Sequence, residues 1–140
     1  MTPQVGADVD TATDPSQRHI LVVDDEASVR RSIAKVLRLE GYDVACVESA
    51  EQALVAIAQT PVNFDLVVSD IMMTGMSGVT FGECVRSLGA GIRVMLISGF
   101  PGSHLDDGLL RAGGFDLLEK PFTPKQLVDR VRASLCVPQP

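Results

Sequence analysis

At 140 residues, 46% of them hydrophobic, the chain has room for one domain and enough apolar content to fill a core without disulfide or metal staples. A formal charge of −6 argues against a nucleic-acid surface, which would need a basic patch. The longest unbroken apolar run, Ala53 to Ala58, is far too short to cross a membrane, and no export signal opens the chain. A cytoplasmic protein with no membrane attachment is therefore expected.

Residues 1–17 hold Asp8, Asp10 and Asp14, no Lys or Arg, and little that is bulky and apolar. Burial there cannot offset the entropy of ordering, so an acidic disordered tail is expected, then one domain over 18–137 and a short tail at 138–140. The cysteines Cys46, Cys84 and Cys136 are odd in number and lack Cys-x-x-Cys spacing. They are expected to be free, reduced and buried rather than metal-binding or redox-active.

From Ile20 a pattern repeats: a short apolar run, a loop, then an amphipathic segment. Ile20 to Val23 predicts a first strand, running into Asp24-Asp25-Glu26. Val29, Ile33, Val36 and Leu37 then mark one face of a helix closed by Gly41. Asp43 to Val47 is shorter and more polar, as suits a sheet edge. Ser49 and Gln52 form a capping-box pattern before a helix with Ala53, Leu54 and Ile57 inward, ended by Thr60-Pro61. Leu66-Val67-Val68-Ser69-Asp70 reads as a strand buried on both faces, with a glycine-bearing loop after it. A helix from about Ser77 carries Phe81, Cys84, Val85 and Leu88 in register. Val94 to Ile97 is a fourth strand ending in Ser98-Gly99, followed by a short helix with Leu105, Leu109 and Ala112. Phe115 to Leu118 is the fifth, ending in Glu119-Lys120-Pro121. Thr123-Pro124 with Gln126 starts the last helix, which turns Leu127, Val131 and Leu135 inward. Strands alternating with helices predict an α/β fold: a doubly wound, five-stranded parallel sheet covered on both faces.

The strand ends carry the chemistry. Asp24-Asp25, Asp70, Ser98 and Lys120 would meet at the carboxyl edge of the sheet, where open α/β folds place their ligands. Three acids so placed raise one another's pKa unless a cation joins them. Oxygen ligands with no histidine suit a hard ion, Mg²⁺ above all, and Mg²⁺ commonly binds through carboxylates and phosphate oxygens together. A carboxylate can itself be the nucleophile and form an aspartyl phosphate. Lys120 and Ser98 would then hold two of the phosphoryl oxygens. Any one of these residues alone is more often a helix cap or a solvated strand end. His19 and His104 have no partner pattern and are expected to be structural or solvated.

Leu21-Val22-Val23-Asp24-Asp25-Glu26, Val68-Ser69-Asp70 with Gly78 downstream, Ile97-Ser98-Gly99 and Lys120-Pro121-Phe122 are together highly specific. Over about residues 19–136 the chain resembles the receiver domain of two-component response regulators. The resemblance implies the flavodoxin-like (βα)5 arrangement with strand order 2-1-3-4-5. It implies Asp70 as phospho-acceptor, and Asp25, Asp70 and the Met72 backbone carbonyl as holders of Mg²⁺, supported by Asp24. Ser98 would be the switch hydroxyl, Lys120 the counter-charge, and the Lys120–Pro121 peptide cis. The donor would be a phosphohistidine on a histidine kinase or a histidine phosphotransfer protein, docking on Ala27 and an exposed Phe122.

Several positions depart from the family pattern. Thr74 stands where proline is usual. Leu117 stands at the switch position three residues before the lysine, where Tyr or Phe is usual; Phe115 shares its face but lies at the strand's start. Met72 and Phe100 flank the path of a hydrolytic water and offer it no donor or acceptor, so a long-lived phosphate is expected. Two other functions compete. An aspartyl-phosphate hydrolase would usually carry an acid at position 72, and a scaffold without phosphate acceptance would not need the full acidic set. The expectation is thus a signalling switch that catalyses only its own phosphorylation and slow dephosphorylation. With no room for an output domain after Pro138, it is expected to stand alone unless it is a piece of a longer chain.

Overall fold

In a computed structural model the described residues are 18–59, 64–73, 75–88, 91–99 and 114–136. They form strands β1 (His19–Val23), β2 (Asp43–Val47), β3 (Leu66–Asp70), β4 (Arg93–Ser98) and β5 (Asp116–Glu119). Between and after them run helices α1 (Ala27–Leu39), α2 (Ala50–Gln59), α3 (Gly78–Ser87) and α4 (Pro124–Cys136). The strands make one parallel sheet in the order β2-β1-β3-β4-β5. The expected doubly wound topology is therefore present. The tails at 1–17 and 138–140, the helix expected near Leu105 to Ala112, and His104, Thr74 and Phe100 lie outside the described residues.

Alternation along the strands divides the core in two, because successive side chains leave a strand on opposite faces. Leu21, Val67, Leu96 and Leu117 face one cluster with Ala53 of α2 and Phe81 and Val85 of α3. Ile20, Val22, Leu66, Val68, Met95 and Ile97 face the other, with Ile33, Ala34 and Leu37 of α1 and Leu127 and Val131 of α4. All five residues of β3 are buried, as a central parallel strand requires.

Local signals set most boundaries. Helix α1 ends in a Schellman motif: Gly41 at φ 99° lets its own N–H reach the Arg38 carbonyl at 3.0 Å and the Tyr42 N–H reach Leu37 at 3.3 Å. Helix α4 starts with a reciprocal capping box, Gln126 N–H to Thr123 Oγ1 at 3.0 Å and Thr123 N–H to Gln126 Oε1 at 2.8 Å. At α2 the Gln52 N–H reaches Ser49 Oγ at 3.0 Å, but the Gln52 side chain accepts from Glu48 N–H instead.

Several expectations need correction. Strand β1 begins one residue early, at His19, because pairing with Asp43 extends the ladder past the apolar run. Strand β5 runs one residue later than expected, since Phe115 packs as an anchor before it rather than within it. Leu88 is 53% exposed because α3 has ended, so it no longer follows the buried stripe. Cys46 and Cys84 are only half-buried and Cys136 is exposed; all three are free. His19 is structural as expected, and its Nδ1 stands 3.0 Å from Asp43 Oδ2 on the edge strand.

Candidate functional site

The carboxyl edge is assembled by register. Val23 pairs with Ser69, so Asp24, one step past β1, stands level with Asp70. Asp24 is 2% exposed, and its N–H donates to the Val47 carbonyl at 3.3 Å. Its Oδ1 accepts the Glu26 N–H at 2.9 Å, and its own carbonyl accepts from Arg30 Nη1 at 2.7 Å. Oδ2 is buried without a hydrogen-bond partner among the described residues. Burial raises the Asp24 pKa above 3.8; the Glu26 N–H opposes this, Asp70 and Asp25 add to it, and Lys120 lowers it. Asp25 is exposed at the rim.

Asp70 ends β3 and is 7% exposed. Its Oδ2 lies 3.0 Å from Lys120 Nζ, and its Oδ1 accepts the Met72 N–H at 3.0 Å. Lys120 reaches it because β5 extends the ladder: its N–H donates to the Ser98 carbonyl at 2.8 Å, one step beyond Ser98↔Glu119. The Lys120–Pro121 peptide is cis. Ser98 is buried at the end of β4. Helix α3 must begin with glycine, because a Cβ on Gly78 would lie 2.3 Å from the Asp70 carbonyl oxygen and 2.7 Å from Ile71 Cα. The Gly78 N–H ties that turn to the Ile71 carbonyl at 2.9 Å.

The response regulator receiver domain model matches residues 20–132. The chain belongs to the response regulator receiver domain family. Among relatives, it is 38% identical over 123 residues to the DNA-binding response regulator MtrA of Mycobacterium tuberculosis, covering 87% of this chain and 52% of that protein. It is 33% identical over 120 residues to the transcriptional regulatory protein ResD of Bacillus subtilis, covering 86% of this chain and 49% of that one. The chain thus spans about half the length of these curated relatives. Among solved structures it is similar to the chemotaxis protein CheY4 of Vibrio cholerae (TM-score 0.74, 26% identity, 84% of this chain and 98% of that one). It is similar also to the receiver domain of the hybrid histidine kinase CckA (TM-score 0.69, 32% identity, 84% and 98%).

In this receiver, the residues expected at the site divide. Asp24, Asp70, Ser98 and Lys120 gather at the sheet edge, with Asp25 near enough for its charge to act on Asp24. Among the described residues no three His, Cys, Asp or Glu side chains stand close enough to hold a metal ion as they are. Both Asp70 oxygens are engaged, one by the Lys120 ammonium and the other by the Met72 N–H. The donor chemistry still suits a hard cation, since a buried carboxylate oxygen of Asp24 has no hydrogen-bond partner among the described residues. The Met72 side chain is 64% exposed. Leu117 is buried within the first cluster, on the same face as Phe115, and Phe115 lies under Arg86 at 5.2 Å. Phe122 corrects an expectation. It is half-buried rather than projecting, and with Val29, Ile33, Val36, Pro124 and Leu127 it lines a groove of ≈ 280 Å³ between α1 and α4. Ala27 is half-buried at the start of α1. Sequence reasoning passed over Arg30, because an arginine six residues past an acid carries no motif.

No described helix is long and apolar enough to cross a membrane.

Proposed function

We propose that Asp70 takes a phosphoryl group from a phosphohistidine on a histidine kinase or histidine phosphotransfer protein, and that the phosphorylated receiver switches partner binding or relays the phosphate. One observation carries this reading: a buried strand-end carboxylate held between the Lys120 ammonium at 3.0 Å and a backbone N–H at 3.0 Å. Such a carboxylate is fixed in aim and its negative charge is balanced without being consumed. An Asp70 oxygen attacks the phosphorus, the O–P bond forms as the P–N bond breaks, and the electron pair leaves on the imidazole nitrogen. Lys120 balances the charge that gathers on the phosphoryl oxygens, and the Ser98 hydroxyl donates to one of them. Asp24, Asp25 and Asp70, with the Met72 carbonyl, would hold Mg²⁺, which supplies further positive charge to the transferring group when bound.

The phosphoryl group ends on the receiver's own Asp70 and is not passed to a small-molecule substrate. Its catalysis is assigned to its own phosphorylation and slow dephosphorylation, and the Met72 side chain offers no group that orients a water. The acidic receiver is assigned no nucleic-acid contact of its own, although MtrA is named as DNA-binding. The reading assigns the receiver to the cytoplasm.

The test is intact mass after acetyl phosphate and Mg²⁺. Wild type should gain one phosphoryl group and Asp70→Asn none; an unlabelled wild type overturns the assignment. For the donor surface, Ala27→Arg should block transfer from a cognate donor protein while acetyl phosphate labelling persists. Equal loss of both would refute docking at the start of α1.

A further inference from the structure

The geometry points to Arg30 as a positioning residue for the acidic edge, one that holds Asp24 in the orientation a divalent cation needs. This rests on the reading of the edge as a Mg²⁺-assisted phosphoryl-acceptor site. The Asp24 carbonyl lies past the end of β1 and before the first residue of α1, so neither the ladder nor the helix supplies it a donor. Asp24 is buried, and a buried carbonyl requires a partner. Arg30, at the end of the first turn of α1, provides a charge-assisted bond at 2.7 Å. The residue is then held at three points: N–H to Val47, carbonyl to Arg30, and Oδ1 to the Glu26 N–H. Among the described residues, Oδ2 has no hydrogen-bond partner. Release of the carbonyl would let the turn rotate, and the aim of Oδ2 would rotate with it. Groups that orient a ligand matter to metal affinity nearly as much as the ligand itself.

Charge and positioning predict opposite signs. Removing a cation beside carboxylates strengthens their hold on Mg²⁺, whereas removing an anchor weakens it. The neighbouring Arg31 is exposed on the same helix and serves as the charge control. The experiment is a Mg²⁺ titration of thermal melting, with amide hydrogen exchange at Glu26 in metal-free protein, on wild type, Arg30→Met, Arg30→Lys and Arg31→Met. Arg30→Met should raise the half-effective Mg²⁺ concentration by about tenfold and speed exchange at Glu26. Arg30→Lys should recover part of both, and Arg31→Met should show neither. If Arg30→Met does not fold, Arg30→Gln carries the same comparison. An unchanged or lower Mg²⁺ midpoint overturns the inference. If wild type neither takes label from acetyl phosphate nor responds to Mg²⁺, it is the phosphoryl reading that fails, and Glu26 exchange alone decides whether Arg30 holds the turn.

Discussion

Asp24 and Asp70 stand level at the ends of adjacent parallel strands, both nearly fully buried, yet their surroundings differ in kind. Asp70 has a partner for each oxygen, a lysine ammonium and a backbone N–H. Asp24 has one oxygen on the Glu26 N–H and, among the described residues, no hydrogen-bond partner for the other. Burial penalises a polar group unless something answers it, so the same residue type is fully partnered at one strand end and half-partnered at the next. The fully partnered acid suits a nucleophile, which must be charged and aimed before its donor arrives. The half-partnered acid suits a cation site, because a cation is what relieves it.

The largest effect should come from making Asp70 resemble Asp24. Lys120→Ala removes the cation from Oδ2, and labelling by acetyl phosphate should slow by about 10²-fold or more, the scale of losing one well-placed charge-stabilising group. Labelling at the wild-type rate would show that the 3.0 Å contact contributes nothing to reactivity.

Next, Gly78→Ala attacks the backbone that aims Asp70. A Cβ 2.3 Å from the Asp70 carbonyl cannot be accommodated without moving β3 or α3. The urea midpoint should fall by the equivalent of about 3 kcal/mol, the upper end for overpacking, and labelling should fall with it. Full labelling in a destabilised protein would separate the turn's structural role from its aim.

A smaller effect of opposite sign is expected at the other acid. Asp24→Asn removes a buried charge that repels Asp25 and Asp70, so in Mg²⁺-free buffer at neutral pH it should stabilise the fold by about 1 kcal/mol. It should also lose most of the melting increase that Mg²⁺ brings to wild type. A less stable variant with an intact Mg²⁺ response would mean that Asp24 is a cap and nothing more.

The smallest signal is in pH. The folded Asp24 pKa is raised above 3.8, so between the two values the native state binds more protons than the unfolded chain. Stability contributed at this position is therefore gained as pH falls through the folded pKa and lost as pH rises through it. Other carboxylates overlay this slope, and the difference between wild type and Asp24→Asn isolates it. A difference that is flat with pH, measured by urea midpoints without Mg²⁺, would contradict the raised value.

Most of the architecture was legible in the residues themselves. The apolar run Leu66 to Val68, the capping residues Ser49, Thr123 and Gly41, and the two-residue alternation of the strands are local statements, and local physics was enough to place strands and helices in order. The site residues Asp70, Ser98 and Lys120 were readable for the same reason: each stands at a strand end, and parallel strands bring their ends together. Which partner each group finds is a different kind of fact. The engagement of both Asp70 oxygens, the clamp of Arg30 on the Asp24 carbonyl, the inward packing of Phe122 and the contact that forbids a side chain at Gly78 all depend on distances between segments far apart in sequence or on how a turn closes. Periodicity reports which face a residue takes and is blind to what stands opposite it, because that is set only when sheet register and helix packing are fixed together.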